Sequence, residues 1–218
     1  MQERRRAGGE DGCGLRRRVT APKATSLSLW DEGLGDASLP QPAVLVLASG
    51  RGERFIASGG SGSKLRALLR GKPVLERTLE AVRASGLPWH LEDAGHEGMG
   101  DSIAAAVRAT QDAPGWLVLP GDLPLIRPQT LQAVAAALAK HAVVLPHYRG
   151  QRGHPVGFDA SCRDALLLLQ GPQGAALVVR AQATVKPVAQ LELEDPGIVI
   201  DIDTLQDLQN AERLLEAG

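Results

Sequence analysis

Short apolar runs that alternate with amphipathic stretches organise the chain from Ala43 onward. The first run, residues 43–48, is continuous rather than alternating, which is typical of a strand buried on both faces of a parallel sheet. The segment 74–85 instead places its apolar residues on one helical face, which indicates a helix that covers the sheet. The pattern therefore predicts strands and helices in alternation.

The rest of the chain continues this alternation. Further strands are predicted at 116–120, 142–146, 154–158, about 184–189 and 198–200, and further helices at 102–110, 130–141, about 160–170, 173–182 and from Thr204. The connection from Gly86 to Gly100 is short, with little room for a strand, a helix and a second strand. Such a pattern predicts an α/β fold whose ligands bind beyond the carboxyl ends of the strands. Functional residues are therefore expected directly after strands.

Residues 1–42 differ from the remainder in composition. Arginines lie there among Gly, Ser and Pro without apolar periodicity: Arg4, Arg5, Arg6, Arg16, Arg17 and Arg18. This texture predicts a disordered arginine-rich extension before a folded domain at 43–218. A solvated arm or an over-extended start is one interpretation, and a tail for targeting or for an anionic partner is the other.

Composition narrows the classes of partner. The formal net charge of −1 over 218 residues provides no general basic field, so no nucleic-acid partner is expected. No apolar run approaches the roughly 18 residues of a membrane span, so no membrane partner is expected. Cys13 and Cys162 lack C-x-x-C spacing, which fits a reducing cytoplasm and gives no thiolate metal site. Any phosphate chemistry must therefore be local.

A glycine-rich loop follows the first predicted strand. It runs Leu47-Ala-Ser-Gly-Arg-Gly-Glu-Arg-Phe55 and continues through Gly59-Gly-Ser-Gly-Ser-Lys64. Glycines let successive backbone N–H groups approach phosphate oxygens, and Arg51, Arg54 and Lys64 supply positive charge. The loop is not a P-loop, because Leu65 follows the lysine where Ser or Thr is required. A triphosphate cradle is one interpretation, and a flexible connection is the other.

Carboxylates follow two later predicted strands. Asp122 comes directly after the strand at 116–120, where it could ligate Mg²⁺ beside a triphosphate or merely cap a turn. Asp201 and Asp203 follow the predicted strand at 198–200, and alternation would point them to the same side. Either could bind metal, although Asp203 could instead complement the dipole of the last helix.

In combination these loops resemble the MobA-like NTP-transferase family, whose members attach CMP or GMP to molybdopterin. The resemblance covers residues 43–216 and is carried by Leu47–Phe55, Lys64-Leu65, Gly121–Pro124 and Asp201–Leu205. Three further stretches are similar to the family pattern: Glu97–Ser102 and Arg152–Val156, both of which favour the cytidylyltransferase branch, and Gly171–Ala176. The implied fold is a three-layer α/β/α Rossmann-like nucleotidyltransferase fold with a mainly parallel sheet.

The resemblance also implies roles for individual residues. Catalytic roles would belong to Lys64, Asp122 and Arg54, and a Mg²⁺ site to Asp122, Asp203 and Asp201. Nucleotide binding would involve Leu47, Ala48, Ser49, Gly50, Arg51, Gly52, Lys64, Gly98, Gly100 and Ser102. Acceptor binding would involve Gly153, His154 and Pro155, with a structural role as the alternative for the histidine.

The implied function is a cytoplasmic, Mg²⁺-dependent nucleotidyltransferase. It would transfer CMP from CTP, or GMP from GTP, to a phosphate-bearing acceptor such as molybdopterin and release pyrophosphate. A molybdenum enzyme is a possible recipient of the product. Two alternatives remain: transfer to another phosphorylated acceptor such as a sugar phosphate, or a non-catalytic nucleotide-binding chaperone of a molybdenum enzyme.

Overall fold

The structure of the protein is a computed structural model that describes residues 40–50 and 52–217, without the side chain of residue 217. The predicted extension at 1–42 lies outside the described residues except for its last three positions. Among the described residues, no helix combines the length and the apolar character that crossing a membrane requires.

The strands and helices can be given in chain order. The strands are β1 (Ala43–Leu47), β2 (Leu68–Leu69), β3 (Lys72–Pro73), β4 (Trp89–Glu92), β5 (Gly115–Pro120), β6 (Val143–Tyr148), β7 (Gln151–Arg152), β8 (Val156–Asp159) and β9 (Ala189–Glu192). The α-helices are α1 (Glu53–Ala57), α2 (Val74–Ala84), α3 (Met99–Ala109), α4 (Pro128–Ala137), α5 (Arg163–Leu167), α6 (Ala176–Ala183) and α7 (Leu205–Ala217). Short 3₁₀ helices span Lys64–Arg66, Ala160–Cys162 and Pro196–Val199.

Seven strands form one sheet in the order β4-β1-β5-β8-β6-β7, with β9 also paired to β6. Strand β1 is parallel to β4 and β5, and β9 is parallel to β6. Strand β8 lies antiparallel between β5 and β6, and β7 is antiparallel to β6. Five of the seven strands therefore run in the same direction, which confirms the predicted α/β fold with a mainly parallel sheet.

The order of the strands creates a crevice between β1 and β5. From β1 the chain moves to β4 on one side, and it then returns to β5 on the other side. The connection after β1 therefore runs toward one edge of the sheet, and the connection after β5 runs toward the other edge. Proteins with α/β folds bind ligands in the crevice that forms between two such strands. The glycine loop after β1 and Asp122 after β5 both begin at this edge.

Apolar side chains cover both faces of the sheet. Leu45 of β1 packs in a cluster with Ile103 of α3, whereas its neighbour Val46 packs in a cluster with Leu79 of α2. All residues of β1 are buried, as its continuous apolar run predicts. A third cluster joins Phe55 of α1 to Ile202 and Ala211, which attaches the glycine loop to the segment around α7.

The predicted strand at 198–200 is wrong, because Pro196–Val199 forms a 3₁₀ helix. The carboxylate of Asp195 accepts a hydrogen bond from the Gly197 amide at 2.9 Å and caps this turn. Pro196 has no amide hydrogen to offer to a strand neighbour. Local side-chain capping thus replaces strand pairing at a position where the apolar run alone indicates a strand.

Two other predicted boundaries also shift. The strand predicted near 184–189 begins only at Ala189, because the amides of Val185 and Lys186 still bond to the Gln182 carbonyl at the end of α6. Strand β4 is not among the predicted strands, because residues 86–100 leave little room for a strand, a helix and a second strand. Its four residues pair with β1 at the edge of the sheet.

We expect Asp195→Ala to destabilise the protein by about 3 kcal/mol, because it removes a buried carboxylate that joins the start of α4 to the 3₁₀ helix at Pro196–Val199. Its oxygens accept hydrogen bonds from the Thr130 hydroxyl at 2.6 Å, the Arg127 amide at 3.0 Å and the Gly197 amide. Urea denaturation of the full chain measures this loss. Glu194→Ala, at the exposed neighbouring acid, is the control, and equal unfolding free energies for the two variants would contradict the assignment.

Candidate active site

A cleft of about 540 Å³ opens at the carboxyl edge of the sheet. Its floor is made by the ends of β1 and β5 with the turn that contains Asp122. One wall comes from the segment that follows β4 and from α3, and the other comes from β7, His154 and the segment 198–203. A smaller pocket of about 270 Å³ adjoins it and shares Arg54, Lys64 and Asp203 with it. The crevice that the topology creates is thus an open site.

Lys64 lies between two carboxylates that are distant in sequence. Its Nζ atom is 2.6 Å from Oδ2 of Asp122 and 2.6 Å from Oδ1 of Asp203. The lysine side chain is only 12% exposed and the two aspartates are 13% and 17% exposed, so water screens these pairs weakly. Burial opposes the charge on Lys64, but the two carboxylates outweigh it and raise the pKa of the ammonium. The lysine is therefore charged at neutral pH.

Backbone hydrogen bonds fix the two carboxylates relative to each other. The Ile202 amide donates to the Asp122 carbonyl oxygen at 3.0 Å, which joins the turn after β5 to the segment before α7. Asp207 accepts from the amides of Asp203 and Thr204, and the Thr204 hydroxyl in turn accepts from the Asp207 amide at 3.2 Å. This reciprocal capping begins α7 and leaves the Asp203 side chain free to face the cleft.

Arg54 adds a second positive charge to this site. Its Nη1 atom lies 2.6 Å from Oδ2 of Asp203, and its side chain is 78% exposed. It comes from α1, which begins after Gly52 with φ of 64°, a left-handed conformation that glycine adopts without strain. The long side chain of Arg54 is thus exposed to solvent at the mouth of the cleft, whereas Lys64 is largely buried at its base.

Three carboxylates could hold a divalent cation. One oxygen from each of Asp122, Asp201 and Asp203 lies within 4.8 Å of the others. Oδ1 of Asp122 is buried and has no hydrogen-bond partner among the described residues, which costs free energy unless a ligand contacts it. Hard cations such as Mg²⁺ prefer carboxylate oxygens, so the donor set fits. Loss of solvation raises the pKa of Asp201, and the charges of Asp203 and Asp122 raise it further.

The reason for expecting Asp201 and Asp203 on one side was wrong. Residues 200–203 are not a strand, so strand alternation does not apply to them. They face the same cleft because the 3₁₀ helix before them and α7 after them fix the intervening turn. Asp203 is paired with two cations, and Asp207 rather than Asp203 supplies the acidic group in the first turn of α7.

Close backbone packing explains the glycines of the wall after β4. A Cβ atom on Gly98 would lie 2.3 Å from the backbone of Gly171, and one on Gly100 would lie 2.8 Å from the Gln170 carbonyl oxygen. The Gly100 amide donates to the Gly171 carbonyl oxygen at 2.8 Å, and Asp101 accepts from the Gly171 amide at 3.0 Å. This stretch therefore joins two loops as well as lining the cleft.

The opposite wall depends on a similar contact. A Cβ atom on Gly153 would lie 2.5 Å from the Ile198 carbonyl oxygen, and the His154 amide donates to that oxygen at 3.0 Å. Nδ1 of His154 is buried without a partner among the described residues. Burial lowers the pKa of His154 more than the nearby Asp122 raises it, so the ring is neutral at pH 7. The residue lines the cleft, but Nδ1 itself is buried behind that surface.

The structure brings most of the predicted site residues to one place. Those that line the cleft are Leu47, Ser49, Gly50, Arg54, Lys64, Gly98, Ser102, Asp122, His154, Asp201 and Asp203. Gly52 lines the adjoining pocket. Ala48, Gly100, Gly153 and Pro155 are not among the residues that line the cleft. Arg51 lies outside the described residues.

Sequence reasoning missed a buried group beside the glycine loop. Glu92 is the last residue of β4, and its carbonyl oxygen accepts a hydrogen bond from the Ala48 amide at 2.8 Å. Its carboxylate accepts a second hydrogen bond from Nε2 of His96 at 3.1 Å. His96 lines the cleft. It directly precedes the stretch Glu97–Ser102, and that position is the one signal in the sequence that could have drawn attention to it.

A family model and a sequence relative both indicate a nucleotidyltransferase. The model of the MobA-like NTP transferase domain matches residues 80–186. The 2-C-methyl-D-erythritol 4-phosphate cytidylyltransferase of Frankia casuarinae is 38% identical over 206 residues, which cover 79% of this chain and 76% of that protein.

Two solved structures share the fold. Rv0371c of Mycobacterium tuberculosis H37Rv in complex with manganese superposes with a TM-score of 0.64 at 21% identity, over 81% of this chain and 100% of that chain. Molybdopterin-guanine dinucleotide biosynthesis protein A of Archaeoglobus fulgidus gives a TM-score of 0.58 at 19% identity, over 81% and 100%.

The fold, the cleft and these relatives define a nucleotidyltransferase. The chain belongs to the MobA-like NTP-transferase family, which confirms the resemblance inferred from its motifs.

We expect Lys64→Met to tighten the binding of Mn²⁺ in the absence of nucleotide by at least about tenfold, a change of ~1.4 kcal/mol. The ammonium neutralises Asp122 and Asp203, so an incoming cation must displace it, and the apolar variant removes that competition. Titration with the Mn²⁺ electron paramagnetic resonance signal measures the affinity directly. Lys72→Met, at an exposed lysine paired with Glu80, is the control. Weaker Mn²⁺ binding by Lys64→Met would contradict the competition.

Proposed function

We propose that the protein transfers CMP, or GMP, from the corresponding NTP to the phosphate of a molybdopterin-type acceptor and releases pyrophosphate. The observation that supports this most is the pairing of Lys64 with Asp122 and Asp203 in a cleft that also contains the glycine loop. A triphosphate requires positively charged groups, and the divalent cation bound beside it requires negatively charged ones. This site offers both at the topological crevice of the fold.

In this proposal the nucleotide lies over β1 and β4. The loop that begins at Ala48 presents backbone N–H groups to the phosphates, and Gly50 leaves open space for their approach because a Cβ atom there would meet no neighbour within 4 Å. Lys64 and Arg54 neutralise the β- and γ-phosphates. Both cations leave carboxylates to do so, which couples phosphate binding to the release of Asp203.

The acceptor lies on the opposite side of Asp122, over the ends of β8 and β6. His154 and Arg152 line the cleft there. An oxygen of the acceptor phosphate attacks the α-phosphorus, a new P–O bond forms, and the bond from the α-phosphorus to the bridging oxygen breaks. The electron pair leaves with pyrophosphate. The attacking oxygen is already anionic, so no general base is required, and the protein contributes position and charge.

Asp122, Asp203 and Asp201 would hold Mg²⁺ in this proposal. When bound, the cation neutralises charge on the oxygens around the α-phosphorus and helps to orient them. Among their oxygens we favour Oδ1 of Asp122 as a metal ligand, because it is buried and has no hydrogen-bond partner among the described residues. Lys64, displaced from the same carboxylates, remains within reach of the leaving pyrophosphate.

A sugar-phosphate acceptor is the second candidate. The sequence relative in Frankia casuarinae is named for a reaction on 2-C-methyl-D-erythritol 4-phosphate, and its similarity spans 79% of this chain. The same carboxylates and lysine would serve that reaction, because only the acceptor changes. The two candidates therefore differ in the wall formed by β7 and His154 rather than in the phosphate site.

We expect Asp122→Asn to reduce pyrophosphate release by at least about a hundredfold, because it removes a negative charge from the proposed metal site without changing the side-chain volume. Pyrophosphate release with Mg²⁺, CTP or GTP, and a molybdopterin acceptor measures the effect. Asp112→Asn, at an exposed aspartate distant from the cleft, is the control. Urea denaturation shows whether both variants fold. Retained turnover in a folded Asp122→Asn protein would exclude this mechanism.

The acceptor is identified by mass spectrometry of the products. The wild-type protein is incubated with CTP and GTP in parallel, each with molybdopterin or with 2-C-methyl-D-erythritol 4-phosphate. We expect a molybdopterin dinucleotide, because Arg152 and His154 match the acceptor-side stretch of the cytidylyltransferase branch. A product only from the sugar phosphate would support the second candidate. Nucleotide binding without pyrophosphate release from either acceptor would support a non-catalytic nucleotide-binding protein.

A further inference from the structure

Glu92 places a buried carboxylate at the nucleotide end of the cleft. It is 7% exposed and is the last residue of β4, directly in register with Leu47 at the end of β1. Its oxygens accept from the Ala94 amide at 3.2 Å and from Nε2 of His96 at 3.1 Å. Burial opposes its charge, but these donors and His90 outweigh burial and lower the pKa of Glu92. The carboxylate is therefore ionised and acts only as an acceptor.

That acceptor fixes the hydrogen positions on His96. A carboxylate cannot donate, so Nε2 must carry the proton in the bond to Glu92. In the neutral ring Nδ1 then has a free lone pair, and it has no hydrogen-bond partner among the described residues. His96 is partly exposed and lines the cleft. The neutral imidazole of His96 therefore offers the site a hydrogen-bond acceptor of fixed tautomer, which the proposed phosphate chemistry does not use.

The position of His96 in the sheet separates it from the phosphates. It follows β4, which lies two strands away from β5 and Asp122, or roughly 10 Å at a spacing of about 4.8 Å per strand. Arg152 and His154 lie on the other side of β5. In the proposed function the nucleotide lies over β1 and β4 with its triphosphate on Lys64, which places the nucleoside on the side where His96 lies.

We propose that His96 accepts a hydrogen bond from the nucleoside of the bound NTP and that Glu92 is its positioning residue. The inference rests on the proposed function and adds a determinant of nucleotide choice to it. We assign the donor to the exocyclic amino group of the base or to the ribose 2′-hydroxyl, rather than to the ring N–H of guanine or the ribose 3′-hydroxyl. Cytosine and guanine both carry such an amino group, whereas uracil has a carbonyl oxygen at the corresponding position.

His90 provides a matched control. Its Nε2 atom also approaches the Glu92 carboxylate, at 3.4 Å, and its side chain is 30% exposed, close to the 27% of His96. It lies within β4 and is not among the residues that line the cleft. Replacing either histidine removes one imidazole from the same carboxylate, but only His96 can reach a nucleotide.

The experiment measures binding to the full chain by calorimetry with Mg²⁺ and CTP, GTP or tripolyphosphate. We expect His96→Ala to weaken whichever of CTP and GTP the wild type prefers by about three- to tenfold, the loss typical of one hydrogen bond. Tripolyphosphate affinity should be unchanged, and His90→Ala should bind like the wild type. An equal loss for tripolyphosphate, or no loss for the nucleotide, would overturn the proposal.

Analogues then separate the two donors. If the base amino group is the donor, the loss caused by His96→Ala disappears with UTP in place of CTP, or with ITP in place of GTP. If the ribose is the donor, the loss disappears with the 2′-deoxynucleotide. A loss that persists with both analogues would contradict a contact with either group and overturn the assignment.

Glu92 is tested by a pair of substitutions. Glu92→Gln keeps an oxygen that accepts from Nε2 and should retain most of the nucleotide affinity, whereas Glu92→Ala should lose as much as His96→Ala. The double variant with both alanines should bind like either single one, because the residues act through the same contact. Additive losses would reject the positioning role.

Failure of this inference can be distinguished from failure of the proposed function. The readout is affinity for nucleotide, which does not depend on any acceptor. A wild-type protein that binds nucleotide but releases no pyrophosphate would reject the proposed reaction and leave the His96 comparison intact. A wild-type protein that binds tripolyphosphate and no NTP would overturn both.

Discussion

The ammonium of Lys64 between Asp122 and Asp203 is the interaction on which the site depends. Two carboxylates held a few ångströms apart repel each other, and their partial burial removes the water that would screen them. A cation between them is therefore required for the folded chain to keep both ionised. In the unliganded protein the lysine has this role. The same property that makes the carboxylates suitable for a divalent cation thus makes the lysine necessary when none is bound.

The fold brings these groups together through backbone contacts rather than through the charges themselves. The bond from the Ile202 amide to the Asp122 carbonyl oxygen and the cap formed by Thr204 and Asp207 determine where Asp203 lies. Phe55 and Ile202 then pack in one apolar cluster, which holds the glycine loop against the same segment. Charge placement is in this way a consequence of packing, and substitution of one site side chain need not disturb the backbone around it.

Features with a local cause could be predicted from the sequence. The buried strand β1, the glycine loop after it and the aspartate after β5 each follow from an apolar run and the residue types beyond it. Features that depend on competing local contacts could not. The apolar residues before Asp201 indicate a strand, but the Asp195 cap makes a 3₁₀ helix. Strand β4 has only four residues and is recognisable by its pairing with β1, which the sequence does not display.

In the proposed function, the strand order also puts phosphate binding and acceptor choice on separate elements of the fold. The groups proposed to bind phosphate follow β1 and β5, the two strands at the crevice, whereas Arg152 and His154 lie beyond β5 and Glu92 and His96 lie beyond β1. Each outer wall is attached to the centre by a few contacts, such as that of Gly153 with Ile198 and that of Glu92 with Ala48. Changes in one wall can therefore alter which base or which acceptor fits without moving Lys64 or Asp122. A shared centre with separable walls is the arrangement expected when relatives of one fold are named for different acceptors.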